Sequence, residues 1–239
     1  MPKKDIPIKN THTWGKQETF AVIWLSAALI LSVLIPVWQG LSLPIFTFVF
    51  LFLPLINLLR QKQAQRIGMG RIEAGKILKW SAINLGVLIL VYAIFEPWSG
   101  AYRFLLLEAT GSGSTDPTFF WLRLFEGPLG WFGLLLFSGL ITIFAEELCF
   151  RGWLLRTLEP KVGGFWANVL QAAIFTLPQL VVAFLMPSLT MGLVYGLVYS
   201  FGAIGMINGW VSMKAGAIWP NLIAASVMNL ILSILILGS

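Results

Sequence analysis

Long apolar runs alternate along the chain with short polar breaks. A polar opening carries Lys3, Lys4, Lys9 and Lys16, and apolar runs then extend from Thr19 to Trp38 and from Ser42 to Leu59. The first run, at about 20 residues, matches the thickness of a bilayer. It exceeds a signal-peptide core and no A-x-A-like site follows it, which predicts a retained helix. Residues 60 to 79 carry Arg60, Lys62, Arg66, Arg71, Lys76 and Lys79 against Glu73 alone, the composition of a loop with its flanks in water. A third span is predicted over 79–97 and a long connection over 98–128. There Phe119, Phe120, Trp121, Leu124 and Phe125 surround Arg123 and Glu126, a pattern that fits a segment along the headgroups or a loop packed on the protein. Further spans are predicted over 129–156, 165–186, 189–211 and 217–237. In the sixth, Gly192 with Gly196 and Gly205 with Gly209 stand four apart and permit close helix contact.

The expected fold class is therefore all-α, a polytopic membrane protein of about seven transmembrane helices. Composition agrees: 58% of the 239 residues are hydrophobic, only 11% are charged and the mean hydropathy is +0.85. Soluble domains carry roughly 25% charged residues, so a water-soluble enzyme is excluded. Seven spans would use about 140 residues and leave no room for a separate soluble domain. The net charge of +6 does not point to nucleic acid, because the basic residues sit between apolar runs instead of on one surface. With the N-terminus inside, fourteen Lys and Arg fall on the cytoplasmic side, while Arg103 and Arg123 alone fall outside. That asymmetry predicts a multi-pass protein with a cytoplasmic N-terminal tail, residues 1–18. The single cysteine, Cys149, excludes an intrachain disulfide and a thiolate metal cluster.

An ionisable side chain inside a span costs on the order of 2.5 to 3.5 kcal/mol, so each one asks for a reason. Glu146, Glu147 and Arg151 close the fourth span in the string Ile143-Phe-Ala-Glu-Glu-Leu-Cys-Phe-Arg-Gly152. Glu147 and Arg151 are four apart with the acid first, the favourable order for a pair on one helix face. Glu146 lies about 100 degrees round the helix. One carboxylate can thus be neutralised while the other is left as a proton acceptor facing the bundle interior. A charge cluster that merely anchors the helix end at the interface would read the same way.

The string resembles the Glu-Glu-x-x-x-Arg first motif of the CPBP family, also called Abi proteins, intramembrane peptidases related to the type II CAAX prenyl endopeptidase. Phe150 before Arg151 and Gly152 after it extend the likeness, as do three further hydrophobic spans downstream. The resemblance implies that 129–239 is a CPBP-like helical core behind the N-terminal membrane helices and outer loop of 19–128. It also implies a cavity open to the cytoplasm, in which Glu146 activates water and Glu147 and Arg151 form the supporting pair. Two later motifs depart. The second, Phe-x-x-x-His, corresponds to Phe175-Thr-Leu-Pro-Gln179, and the last, His-x-x-x-Asn, to Ala225-Ser-Val-Met-Asn229. The only histidine, His12, precedes the first span.

Gln179 can orient a water but carries no proton at ordinary pH. Asn229 can still give one amide donor to an oxyanion. With no imidazole and no second thiolate near the glutamates, no catalytic metal and no cofactor are expected. Pro178 should kink the fifth span, and Asn208 and Asn221 read equally as interhelical hydrogen-bond partners or as site residues. Trp219 and Pro220 read as the interfacial start of the last helix. Two functions follow. One is an intramembrane endopeptidase using Glu146, Glu147, Arg151, Gln179 and Asn229 on membrane-associated peptides or protein tails. The other is a catalytically degenerate relative that binds a partner in a membrane complex. A transporter is disfavoured by the lone charged cluster and the absence of two similar halves.

Overall fold

A computed structural model describes residues 15–34, 50–52, 54–55, 67–110, 136–185 and 188–238. Among these every long element is helical. We number them α1 (Lys16–Leu34), α2 (Ala74–Thr110), α3 (Phe137–Val162), α4 (Gly164–Leu185), α5 (Leu189–Ala215) and α6 (Trp219–Gly238). Two of them change pitch. In α3, Phe137–Thr142 and Glu147–Leu154 are π-helical around the regular turn Ile143–Glu146, and in α5 the π-helical stretch is Tyr195–Ile207.

Four of the sequence boundaries hold to within a few residues: α1, α4, α5 and α6 fall on predicted spans. The third does not. Its helix continues past Pro97 to Thr110, so residues 98–110 belong to α2 and not to a connection. The proline occupies a helical position where one carbonyl goes without its backbone partner, which membrane helices tolerate. Residues 111–128 lie outside the described residues, as does most of the span predicted over 42–59. The fourth span also overruns its predicted end, through Pro160 to Val162. Two helical segments among the described residues are long and apolar enough to cross a membrane, Ala74–Phe95 and Leu189–Ala215, and Trp219–Ile231 is a shorter apolar one. The described residues therefore do not reach the seven crossings that hydropathy suggests.

The side-chain distribution on α2 is inside out by the standard of a soluble protein. Ser81 and Asn84 are buried, while Leu78 is 73% exposed and Leu90 60%. Water would penalise such a surface, whereas lipid accepts it and leaves polar groups to find partners inside. The buried stripe of α2 runs Ser81, Asn84, Leu88 and lies against α6, where Leu88 packs with Ala224 and Met228.

Helix α3 occupies the centre. Its segment Leu148-Cys-Phe150 continues through Trp153, Leu154 and Leu155 as buried apolar residues, with no polar face to present to solvent. Leu25 and Leu29 of α1, Phe50, Ile67 and Ile174 complete this core. A β-carbon at Gly152 would stand 2.5 Å from the Ile67 carbonyl oxygen, so only glycine lets that strand of chain cross α3 here. Across the molecule α4 packs against the π-helical part of α5. There a β-carbon at Gly205 would meet that of Ala172 at 2.7 Å, and one at Gly209 would overlap the Asn168 side chain. The small-residue spacing seen in the sequence thus brings two helices into close contact.

Candidate functional site

Glu147 begins the second π-helical stretch of α3, and Arg151 follows it on the same face. Both side chains are buried, Arg151 completely. The guanidinium Nη1 stands 3.4 Å from Glu147 Oε1, and Nη2 donates to the Ile204 carbonyl of α5 at 2.9 Å. The guanidinium carbon also lies 4.5 Å from the centre of the Phe175 ring, whose π-face attracts a cation. Phe150 stacks edge-on against Phe175, with ring centres 5.2 Å apart. The two phenylalanines that flank the charge motif and open the second motif therefore pack as one wall beside the guanidinium.

The carboxylate is held more tightly by amides than by its counter-ion. Asn221 Nδ2 donates to Glu147 Oε2 at 3.0 Å, and Asn208 Nδ2 to Oε1 at 3.4 Å. Asn221 Nδ2 also donates to the Asn208 carbonyl at 2.7 Å, while its Oδ1 accepts from Asn84 Nδ2 at 3.0 Å. Glu147 is thus tied to α5 and α6 directly and to α2 through Asn221. A buried ion pair regains its desolvation cost only when the remaining lone pairs and protons are also satisfied. Hydrogen bonds to a charged group stabilise by about 1.5–3 kcal/mol each; the amides supply them to the carboxylate, while the buried Nε and Nη1 of Arg151 make no hydrogen bond among the described residues.

Next to this pair in the chain, Glu146 is half-buried, and its side chain makes no hydrogen bond or ion pair among the described residues. It ends the regular turn Ile143–Glu146, which packs against α6. The positions that correspond to the last family motif, Ala225 and Asn229, form a row with Asn221 at spacings of four along α6. Both are half-buried. Asn229 stands two turns, about 12 Å, beyond Asn221 along the axis. Gln179 lies in α4, one turn past Phe175, but its side chain is outside the described residues, as is His12.

Sequence reasoning left Asn208 and Asn221 undecided, and the structure brings both onto the Glu147 carboxylate. It missed Asn84, whose only signal was an amide one turn after Ser81 in an apolar span. A second polar seam joins α4 to α5: Gln171 Nε2 donates to the Gly205 carbonyl at 2.8 Å and Asn168 Nδ2 to that of Met206 at 2.9 Å. With Arg151 on Ile204, three successive carbonyls at the end of the π-helical stretch take side-chain donors. Among the described residues no three His, Cys, Asp or Glu side chains come together, so the usual three protein ligands of a catalytic metal are not assembled there.

A buried glutamate–arginine pair braced by asparagines, in a helical core with a lipid-compatible exterior, defines a membrane-embedded helical protein with a buried charged site. Residues 128–231, from just ahead of α3 into α6, match the model of the family described as type II CAAX prenyl endopeptidase Rce1-like, which supports assignment to the CPBP/CAAX protease family. No curated protein and no solved structure matches the chain.

Proposed function

We propose that the protein is an intramembrane endopeptidase of the CAAX-protease type in which Glu146 is the water-activating base. One observation carries this reading: of the two adjacent glutamates, Glu147 is held by Arg151, Asn208 and Asn221, whereas the Glu146 side chain makes no hydrogen bond or ion pair among the described residues and feels Arg151 only through its charge. A carboxylate with its lone pairs unengaged beside a firmly held one is what general-base catalysis needs, a proton acceptor placed by a fixed neighbour. Glu146 takes a proton from water as the oxygen adds to the scissile carbonyl. It returns that proton to the amide nitrogen as the C–N bond breaks. Asn229, which keeps the asparagine of the last motif, donates a hydrogen bond to the oxyanion, and Gln179, at the histidine position of the second, orients the water or the substrate. Glu147 and Arg151 hold the helix turn from which Glu146 projects.

The substrates in this reading are membrane-associated peptides or protein tails reached from the cytoplasmic side. The chain crosses the bilayer about seven times with its N-terminus in the cytoplasm, and 129–239 forms the catalytic core behind the helices of 19–128.

A second reading is favoured by a specific observation. Ala225 stands at a position where the family has histidine, and its methyl group can take no part in proton transfer. In that reading the same site binds a partner within a membrane complex without cutting it. Comparison of protein termini across the proteome of cells expressing wild type or Glu146→Gln separates the two. Termini present with wild type and missing with the variant are expected. Identical termini, with both proteins folded and equally abundant, would transfer support to partner binding.

A further inference from the structure

The family match begins at residue 128, yet the hydrogen-bond network around Glu147 does not end there. It reaches α2 at Asn84, a side chain with no solvent exposure. We propose that Asn84 is a positioning residue for the site: it fixes the Asn221 amide so that Asn221 holds the Glu147 carboxylate. The inference rests on the reading of the site as a peptidase centre.

Asn221 donates through its amide nitrogen to the Asn208 carbonyl and to Glu147 Oε2, at 2.7 and 3.0 Å, with Ser212 Oγ a longer third acceptor at 3.4 Å. Its remaining polar atom, Oδ1, faces α2 and accepts the amide proton of Asn84 at 3.0 Å. Turned over, the Asn221 amide would aim its oxygen at a carboxylate and a carbonyl, and Asn84 would face an NH₂ group. Asn84 therefore stabilises the one orientation in which Glu147 receives its shortest hydrogen bond, shorter than the 3.4 Å approach of Arg151. The placement is rigid because the same stripe of α2 continues into the apolar contact of Leu88 with Ala224 and Met228. Asn84 touches neither glutamate, so its effect on the reaction passes through Asn221.

The test uses the full chain in lipid nanodiscs and a peptide spanning a cleavage site found in the Glu146→Gln comparison. Asn84→Leu, close in volume and without a donor, is expected to lower kcat by about 10-fold while KM stays within about twofold, the signature of a misplaced group rather than a lost substrate contact. Asn84→Gln, which keeps an amide, is expected to recover most of that rate. Unchanged kinetics in Asn84→Leu, or an equal loss in Asn84→Gln, would overturn the proposal. Should wild type cut no peptide, the peptidase reading fails on its own, and thermal unfolding decides the positioning role. Glu147→Asp keeps the charge for Arg151 but withdraws it from Asn221. Positioning requires that Asn84→Leu combined with Glu147→Asp lower the melting temperature by clearly less than the sum of the single variants, and simple additivity would overturn it.

Discussion

Glu146 and Glu147 are neighbours at one turn of α3, the first half-buried and the second buried, and they are treated in opposite ways. Around Glu147 three helices supply partners: Arg151 from its own helix, Asn208 from α5 and Asn221 from α6, with Asn84 of α2 behind them. The Glu146 side chain makes no hydrogen bond or ion pair among the described residues, although its turn packs against α6, and it feels Arg151 only through that residue's charge. The difference shows how a membrane core can carry two carboxylates at once. One is stabilised by an arginine and two amides from other helices, and in the proposed reading that network holds the turn from which the other acts.

The contrast can be broken most severely from the committed side. Arg151→Ala leaves Glu147 buried without its counter-ion, an expected loss of about 3–5 kcal/mol, enough to remove most folded protein. Size-exclusion profiles of detergent-solubilised variants should show this loss for Arg151→Ala and a wild-type profile for Glu146→Gln. Packing comes next. Gly209→Ala forces a methyl group onto the Asn168 side chain and should cost roughly 1–3 kcal/mol, read as a lowered melting temperature. Asn221→Leu removes the shortest hydrogen bond to Glu147 while filling the same space. Its expected cost is about 1–3 kcal/mol, and the melting temperature should fall further at Asn221→Leu than at Asn208→Leu, whose bond to Glu147 is longer. The smallest effect falls on the available side. Gln179→His adds a group able to carry a proton and should raise peptide cleavage by about 10-fold at most, since Ala225 remains. An unchanged or lower rate would remove Gln179 from the role assigned to it.

The helical class and the positions of α1, α4, α5 and α6 were legible because apolar runs of membrane length leave few alternatives. The charge motif was legible for a related reason, since charge inside a span demands a cause. The length of α2 was not: Pro97, Arg103 and Glu108 resemble the end of a span, and only the backbone shows the helix continuing. Nor could pitch be read: at the end of the π-helical stretch of α5 the carbonyls of Ile204, Gly205 and Met206 meet Arg151, Gln171 and Asn168 from other helices, partners that the local sequence does not show. The asparagines were hidden for a physical reason as well. A neutral amide in a span costs little enough to pass as interhelical packing, and only its partner reveals whether it serves a carboxylate. The glycine spacing of Gly205 and Gly209 was visible, but not that α4 would be the helix seated on it.

The division of labour between the two glutamates is tested most directly by placing Glu146→Gln and Glu147→Gln side by side, measuring melting temperature and new protein termini for each. Glu146→Gln should melt with wild type and produce none of the wild-type termini, whereas Glu147→Gln should melt well below both. A Glu146→Gln protein that retains the wild-type termini, or one destabilised as far as Glu147→Gln, would contradict the account.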